Sequence, residues 1–557
     1  MQKLILFLIL SIFFLSCSEQ YRHLPVSDYV DKMKGGWVGQ MAGVGWGGPT
    51  EFDYMGKIIP EDSMPAWKPE MINQFGQDDI YVEMTFLRTL ELYGMDVSLK
   101  QAGIDFANSG YFLWHANRAG RDNLRNGIAP PDAGHPQFNK HADDIDYQIE
   151  SDYSGLIAPG LPNVVIQLGE KFGRLMNYGD GLYGGQFVGG MYAEAFFEND
   201  MVKIVEAGLK CIPEESQYAE CIGDVINWYK QNPDDWQKTW QLIEDKYQTN
   251  PEYRRFSCSR DRLEFNIDAK INGAYIVMGL LYGKRDPDET IIISTRCGQD
   301  SDCNPSNAAG ILFTTIGFSN LPNKFKSALN EEEKFSHTVY NFPTLIEVSK
   351  KLVRQSLERN GGKIEKDENG NEVFLIPYQK PVPSKFEQCW EPGPIANSTF
   401  SDEDMDKIET VSPKEIQAAL DKISLDWDIF NCGKKAKPVI RKNWGGKENV
   451  LVTYPKNEET ACILVKWIRE LPEGKEIRLS FYVGHDPDAD WDLSVRLNWN
   501  EVIHENISKE TSKKGWKKID LDLSEYAGRG VHIALIHSAT GWEKEAAYWA
   551  NIEVTGI

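Results

Sequence analysis

Gly298-Gln299-Asp300-Ser301-Asp302-Cys303 opens onto the small-residue run Asn307-Ala308-Ala309-Gly310 and an apolar segment ending near Gly317. Two carboxylates one residue apart stand at the start of a helix with buried composition. A helix N-terminus supplies only about half an elementary charge, too little to carry two ionised carboxylates into a packed interior. An N-cap aspartate with a solvated neighbour would explain one isolated Asp-x-Asp. A second acidic helix start changes the balance: Gln77-Asp78-Asp79 precedes Ile80, Tyr81, Met84, Leu87 and Leu90, an apolar helical pattern. Four carboxylates in one pocket predict a cation site, and oxygen ligands of this kind favour magnesium or manganese over zinc, as one or two ions.

The chain has 557 residues, 41% of them hydrophobic, enough for two or three domains. Lysine and arginine total 60 against 83 acids, a net charge of −23. This excess argues against nucleic acid as a partner, because phosphate neutralisation needs basic surface.

Met1 to Cys17 carries an early Lys3, the apolar run Leu4 to Leu15, then Ser16-Cys17. It reads as a lipoprotein signal peptide, with Leu15-Ser16-Cys17 resembling the end of a lipobox and Cys17 as the lipidated residue. The expected address is the bacterial cell envelope, outer membrane or periplasm, with membrane attachment through that lipid. Eight further cysteines remain, among which Cys211 and Cys221 are the nearest neighbours at plausible loop size for a disulfide. No C-x-x-C occurs, so zinc-type spacing is absent.

Residues 26–356 read as helices separated by Gly/Pro/Asn loops, for example Asp78 to Tyr93, Asn163 to Met176, Gly189 to Phe197 and Asn272 to Leu281. Residues 357–424 hold a β-hairpin around Asn369-Gly370, a Pro-rich linker and a short helix at Pro413 to Ile423. Residues 425–557 show short alternating runs at Val450 to Tyr454, Ala461 to Trp467, Ile477 to Val483, Trp491 to Leu497, Trp516 to Leu523, Val531 to His537 and Ala547 to Val554. The fold class is multidomain: an all-α bundle followed by a C-terminal β-sandwich of jelly-roll type. Trp491, Trp499, Trp516, Trp542 and Trp549 offer either core or a sugar-stacking face of a carbohydrate-binding module.

The order of motifs in residues 28 to about 330 resembles the ADP-ribosylglycohydrolase family. Gly43-Val44-Gly45-Trp46-Gly47-Gly48-Pro49-Thr50-Glu51-Phe52 looks like the family's opening Gly-Asp-Ala-x-Gly-x-Pro-x-Glu loop. Gln77-Asp78-Asp79 stands at its Thr-Asp-Asp motif and Gly298 to Cys303 at Gly-x-Asp-x-Asp-Thr. The resemblance implies an all-α catalytic domain in which Asp78, Asp79, Asp300 and Asp302 are metal ligands. Glu51 would be the catalytic acid on a loop over the cations, activating water or protonating a leaving group. Three positions depart from the family pattern. Val44 replaces an aspartate, and Gln77 and Cys303 replace two ligating threonines. Gln77 is a possible oxygen ligand and Cys303 a poor one for a hard cation.

Between the motifs lie His135, then His141, Asp143, Asp144 and Asp146, followed by Glu150 and Asp152, with Asn117, Arg118 and Arg125 nearby. Histidine beside carboxylates suits sugar-hydroxyl recognition or acid–base work. His141, Asp143, Asp144, Asp146, Asn117 and Arg118 are the expected substrate contacts. The expected activity is metal-dependent hydrolysis of a glycosidic bond in a sugar-containing substrate, with a glycan furanoside a rival to ADP-ribosylated protein. The alternative is a non-catalytic, surface glycan-binding lipoprotein.

Overall fold

The computed structural model describes residues 21–557 apart from 261, 263, 436, 475, 542 and 543. The leader with Cys17, and Trp542, lie outside the described residues. Among the described residues no helix is long and apolar enough to cross a membrane.

The N-terminal unit is helical, as expected. Helix α1 (Val26–Gly47) is buried along most of its length and carries Gly35, Gly39, Gly43 and Gly47 at intervals of four, one face of a helix. That face lies against the helix Cys303–Ile316 and the turn before it. A Cβ on these glycines would stand 2.4 Å from the carbonyl oxygens of Phe313 and Ala309, 2.2 Å from that of Pro305 and 2.1 Å from that of Ser301. Only glycine allows two backbones so close. The stripe therefore fixes the Glu51 end of α1 beside the Asp300–Asp302 turn.

Helix α2 (Asp78–Tyr93) begins at its two aspartates, where acidic side chains favour the positive end of the helix dipole, and stops before Gly94 at φ +78°. Helices α3 (Leu99–Ala107) and α4 (His115–Arg125) follow. The helices predicted at 163–176, 189–197 and 272–281 are found as Pro162–Phe172, Asp180–Ala195 and Ala269–Tyr282. The early start at Asp180 went unread because Gly181, Gly184 and Gly185 resemble a loop. In the fold those glycines let other chain segments approach, with Ala142 O and the Gln148 and Tyr147 side chains within 2.6 Å of their would-be Cβ positions.

Strands β1 (Tyr21–Pro25), β2 (Lys363–Lys366) and β3 (Glu372–Pro377) form an antiparallel sheet in the order β1-β3-β2. The hairpin is as predicted, and β1 is an addition. The Pro-rich passage is no free tether. Tyr183 donates its hydroxyl to Lys385 O at 2.8 Å and accepts the Glu387 amide at 2.7 Å, while the amides of Ala396 and Ser398 reach the Asp132 carboxylate at 2.8 and 2.7 Å. An extended segment with no internal hydrogen bonds offers its backbone to neighbours, and this one is strapped along the helices.

The C-terminal unit contains two five-stranded antiparallel sheets packed as a sandwich. One runs β10 (Asn500–Ile507), β9 (Trp491–Leu497), β12 (Val531–Ser538), β7 (Cys462–Ile468), β4 (Asp428–Phe430); the other runs β11 (Trp516–Asp522), β8 (Arg478–His485), β13 (Ala547–Thr555), β6 (Lys447–Thr453), β5 (Val439–Trp444). Trp491, Trp549, Phe481, Leu493 and Leu535 fill the space between them. A disulfide joins Cys432 to Cys462, whereas Cys211 and Cys221 are separate buried thiols. Of the many connectivities that eight cysteines leave open the structure shows Cys432–Cys462, while Cys211 packs beside Gly190 and Cys221 faces Lys270 O.

Candidate functional site

The two acidic motifs meet. Asp302 caps the helix Cys303–Ile316, its Oδ1 accepting the Cys303 amide at 2.9 Å. Cys303 Sγ lies 3.1 Å from Asp79 Oδ2, and its ligand atom groups both with Asp78 and Asp79 and with Asp300 and Asp302. Cys303 is therefore the hinge between the two aspartate pairs. Asp79, Asp300 and Asp302 are buried.

Burial, then the charges of Asp302 and Asp146, pushes the Asp78 carboxyl up to about 7. Burial and neighbouring carboxylates, Asp302 foremost among them, hold Asp79 and Asp300 well above the usual carboxylate range. Each acid destabilises its neighbours' charges, the signature of a pocket short of positive charge. Asp79 Oδ1 and Asp300 Oδ1 are buried without a hydrogen-bond partner. Unpaired carboxylate oxygens on two sides of one pocket fit a hard divalent cation; the thiol of Cys303 does not. Gln77 precedes α2 as its N-cap residue, with its amide nitrogen 3.5 Å from where a Gly48 Cβ would be.

Glu51 sits on the turn that follows α1, at the mouth of this pocket. The turn is held from below by the acidic motif itself. Gly298 (φ +83°) and Gln299 (φ +59°) are both left-handed, which aims the Gln299 amide at Tyr54 O (3.1 Å) and its carbonyl at the Phe52 amide (3.2 Å). Thr50 Oγ1 and Ser301 Oγ are 2.9 Å apart. A side chain at Gly298 would strike Tyr54 O at 2.4 Å, so glycine is required there. Burial of the carboxyl, then Asp302, Asp78 and Asp53, raises Glu51 above an ordinary glutamate although part of the residue faces solvent.

Behind the aspartates the carboxylates continue inward. Glu83 accepts the Tyr153 amide at 2.8 Å and the Gln40 side chain, and Asp152 accepts Asn307 Nδ2 at 2.7 Å. Glu83 lies one turn after Asp79, so helical spacing was a signal for it, but Gln40 and Asn307 were visible only once the fold was built.

The expected substrate contacts divide. Asp146 borders the pocket: its Oδ1 accepts the Asn117 amide at 2.8 Å, its Oδ2 is unpartnered, and burial raises it to about 6. Asn117 turns its side chain to Glu150. Asp143 and Asp144 are buried beneath the cleft, and Asp144 Oδ2 holds His141 Nδ1 at 2.7 Å. His135 points elsewhere, to Gly393 O at 2.9 Å in the strap. Arg118 reaches out of the cleft to Asp428 of β4 at 3.1 Å and stacks on Phe430, while Arg125 donates to Ala107 O and Ser109 O at 2.8 Å each. Arg118 thus ties α4 to the sandwich, and Arg125 ties it to the backbone of residues 107–109. His115 and Cys258 were not anticipated, being far from His141 in sequence.

The sequence pattern of the ADP-ribosylglycohydrolase family matches residues 25–360, more than half of the chain. The chain belongs to the ADP-ribosylglycohydrolase family. A solved structure of an "ADP-ribosylglycohydrolase-related protein complex" aligns over 59% of this chain and 99% of its own, with 12% identity and a TM-score of 0.39. Over 23% of the chain, a structure described as "CBM4 structure and function" aligns at 16% identity (84% of its length, TM-score 0.16), and an apo cyclase from Fischerella sp. at 13% (71%, TM-score 0.17). No curated protein matches the sequence. As an ADP-ribosylglycohydrolase family member the protein has a hydrolase-type framework, in a family often dependent on metal, and it carries acidic clusters that are candidates for holding a cation.

Proposed function

We propose that the protein is a cation-dependent hydrolase of a glycosidic bond whose substrate is a glycan. The observation that carries the substrate class is the seat of the sandwich. It docks on residues 108–114, the segment that leads directly into His115 and the cleft. Asn431 Nδ2 donates to Gly110 O at 2.7 Å, and Phe112 lies edge-on to Trp499 with ring centres 5.1 Å apart. Trp499 is 46% exposed and stacks on His532 at 4.4 Å; Trp467, 62% exposed, lies 5.5 Å from the same ring. Trp114, also exposed, completes the ledge 6.5 Å from Trp499. Flat apolar faces with open edges suit the faces of sugar rings. Of the tryptophans expected on such a face, Trp491, Trp516 and Trp549 are buried in the sandwich and only Trp499 among the described ones serves.

In this reading the chain's own groups do the following. Trp114 and Trp499 hold flanking sugar units so that the scissile bond lies over Asp78 and Asp302. Glu51 gives its proton to the leaving-group oxygen as the anomeric bond breaks, water adds to the anomeric carbon in place of the leaving group, and the proton that this water loses returns to the Glu51 carboxylate. Asp146 Oδ2 accepts a hydroxyl hydrogen and fixes the ring. Asp78, Asp79, Asp300 and Asp302 would hold magnesium or manganese, which supplies charge neutralisation and polarisation of the sugar oxygens. The disulfide Cys432–Cys462 supports an oxidising compartment, in keeping with an envelope address through Cys17.

Incubating the protein lacking residues 1–17 with magnesium, a glycan panel and an ADP-ribosylated peptide, and measuring released sugar, tests this. The expected result is release from a glycan, abolished in Glu51→Gln. Release from the peptide alone overturns the substrate class, and glycan binding without release overturns the hydrolase.

A further inference from the structure

Beside the aspartate pocket, on the far side of Asp146, four side chains from three separate segments turn toward one point. His115 opens α4, His141 and Asp144 lie on the acidic loop, and Cys258 comes from the turn after Arg254. His141 Nδ1, Cys258 Sγ and His115 Nδ1 lie 2.7, 3.1 and 3.2 Å from Asp144 Oδ2, and all four ligand atoms are within 4.8 Å of one another. The geometry points to a structural zinc site formed by His115, His141, Asp144 and Cys258, separate from the magnesium-type pocket.

The donor set decides the metal. Two imidazoles, one carboxylate and one thiol are borderline-to-soft ligands, the combination that selects zinc and discriminates against magnesium. A tetrahedral zinc with bonds of about 2.0 to 2.3 Å sets its ligand atoms roughly 3.3 to 3.8 Å apart. The present separations from Asp144, 2.7 to 3.2 Å, are shorter than that range, so side-chain rotations must open the space for the ion. Four protein ligands leave no position for substrate, which makes the site structural rather than catalytic.

The surroundings agree with a cation there. His115 adopts φ +40°, in the left-handed region that few residues other than glycine occupy, and its ring lies in the cluster stacked on Phe265 at 5.9 Å. The Cys258 turn is tied down from behind, Arg254 Nη2 donating to Ser259 O at 3.0 Å and to Ser259 Oγ at 2.9 Å. On the opposite side Asp143 Oδ1 and Asp268 Oδ1 are buried without hydrogen-bond partners, and Lys270, 3.4 Å from Asp268, is the one cation in contact with that pair among the described residues. Phe265 also packs on Phe52, next to Glu51, at 5.3 Å. Zinc would pin the start of α4, the acidic loop and the Phe265 segment into one wall of the cleft.

The test is metal analysis of the full mature chain purified without chelator and dialysed against metal-free buffer. Zinc is expected at about one per chain, falling at least tenfold in Cys258→Ser and His141→Gln and unchanged in Asp302→Asn. Cobalt replacing the zinc is expected to give a thiolate-to-metal charge-transfer band in the near ultraviolet, a readout that needs no variant. Zinc well below one per chain, zinc lost in Asp302→Asn but retained in Cys258→Ser, or a cobalt protein without that band each overturns the site.

Discussion

A Cβ placed on Gly47 would lie 2.1 Å from the carbonyl oxygen of Ser301, between the two aspartates of the pocket. The Glu51 turn and the acidic turn are thus positioned by direct backbone contact. Gly47→Ala is expected to push them apart, lowering stability by about 1–3 kcal/mol and activity by more than the stability loss explains. Gly223 provides the contrast: it lies within the helix Gln217–Gln231 with nothing within 4 Å of its would-be Cβ. Gly223→Ala should stabilise by up to about 1 kcal/mol, because alanine is the better helix former. Thermal melts and sugar release of both variants check the pair.

Cys303 is the one soft atom shared by both aspartate pairs. Cys303→Thr supplies a hard hydroxyl oxygen at the same place and is expected to tighten magnesium binding by about 1 kcal/mol or more, roughly fivefold, at unchanged stoichiometry or with a second ion gained. Asp302→Asn should weaken it by more than tenfold, since it removes a carboxylate flanked by Asp300 and Glu51. Calorimetric titration with magnesium measures both, and equal affinity in Cys303→Thr and the parent chain would remove the thiol from the site.

What could be read from the sequence follows from where each element lies. Helix α2 was placed at its first residue because Asp78 and Asp79 end an irregular stretch and the apolar positions behind them recur at helical intervals. Strand β9 was read to the residue because Trp491, Leu493, Val495 and Leu497 alternate with polar neighbours across a half-buried sheet. The strands that went unread, β1, β4, β5 and β10, are all sheet edges, and β5 and β10 present exposed polar residues on both faces. An edge strand gains its partner from the fold and carries little alternation of its own. The aspartate pocket was legible because each half announces itself at a helix start. The His115–Cys258 cluster was not, since its members are single residues on three segments with no local pattern.

His537 of β12 is fully buried against Trp491, shares a hydrogen bond of 3.0 Å with Thr453 Oγ1, and is pushed by burial from 6.5 down to about 3. Between these values the unfolded chain binds a proton that the folded chain does not. Stability is therefore complete above pH 6.5 and declines as pH falls toward 3. At pH 5 the loss from this group amounts to about 2 kcal/mol. His537→Gln should be less stable at pH 7 and show a flatter decline, measured as denaturation midpoints of the sandwich transition between pH 7.5 and 5.

Trp499 and Trp491 lie in neighbouring parts of the same sheet and are expected to fail in opposite ways. Trp491 is fully buried, donates its indole hydrogen to Gly484 O at 3.1 Å and packs on Trp549 at 5.3 Å. Trp491→Ala leaves a cavity between the sheets and should cost about 3–5 kcal/mol, with glycan affinity following the loss of folded sandwich. Trp499 covers His532 and the edges of Phe112 and Trp114 at the surface, so Trp499→Ala should leave the melting temperature within a degree or two while raising KM for a glycan roughly two- to tenfold at unchanged kcat. Adding Trp467→Ala should extend the effect on KM, because both rings flank His532. Short substrates that do not reach the ledge should be insensitive to either change. If KM for long and short substrates rises equally, Trp499 acts on the fold of the cleft rather than as a surface for sugar.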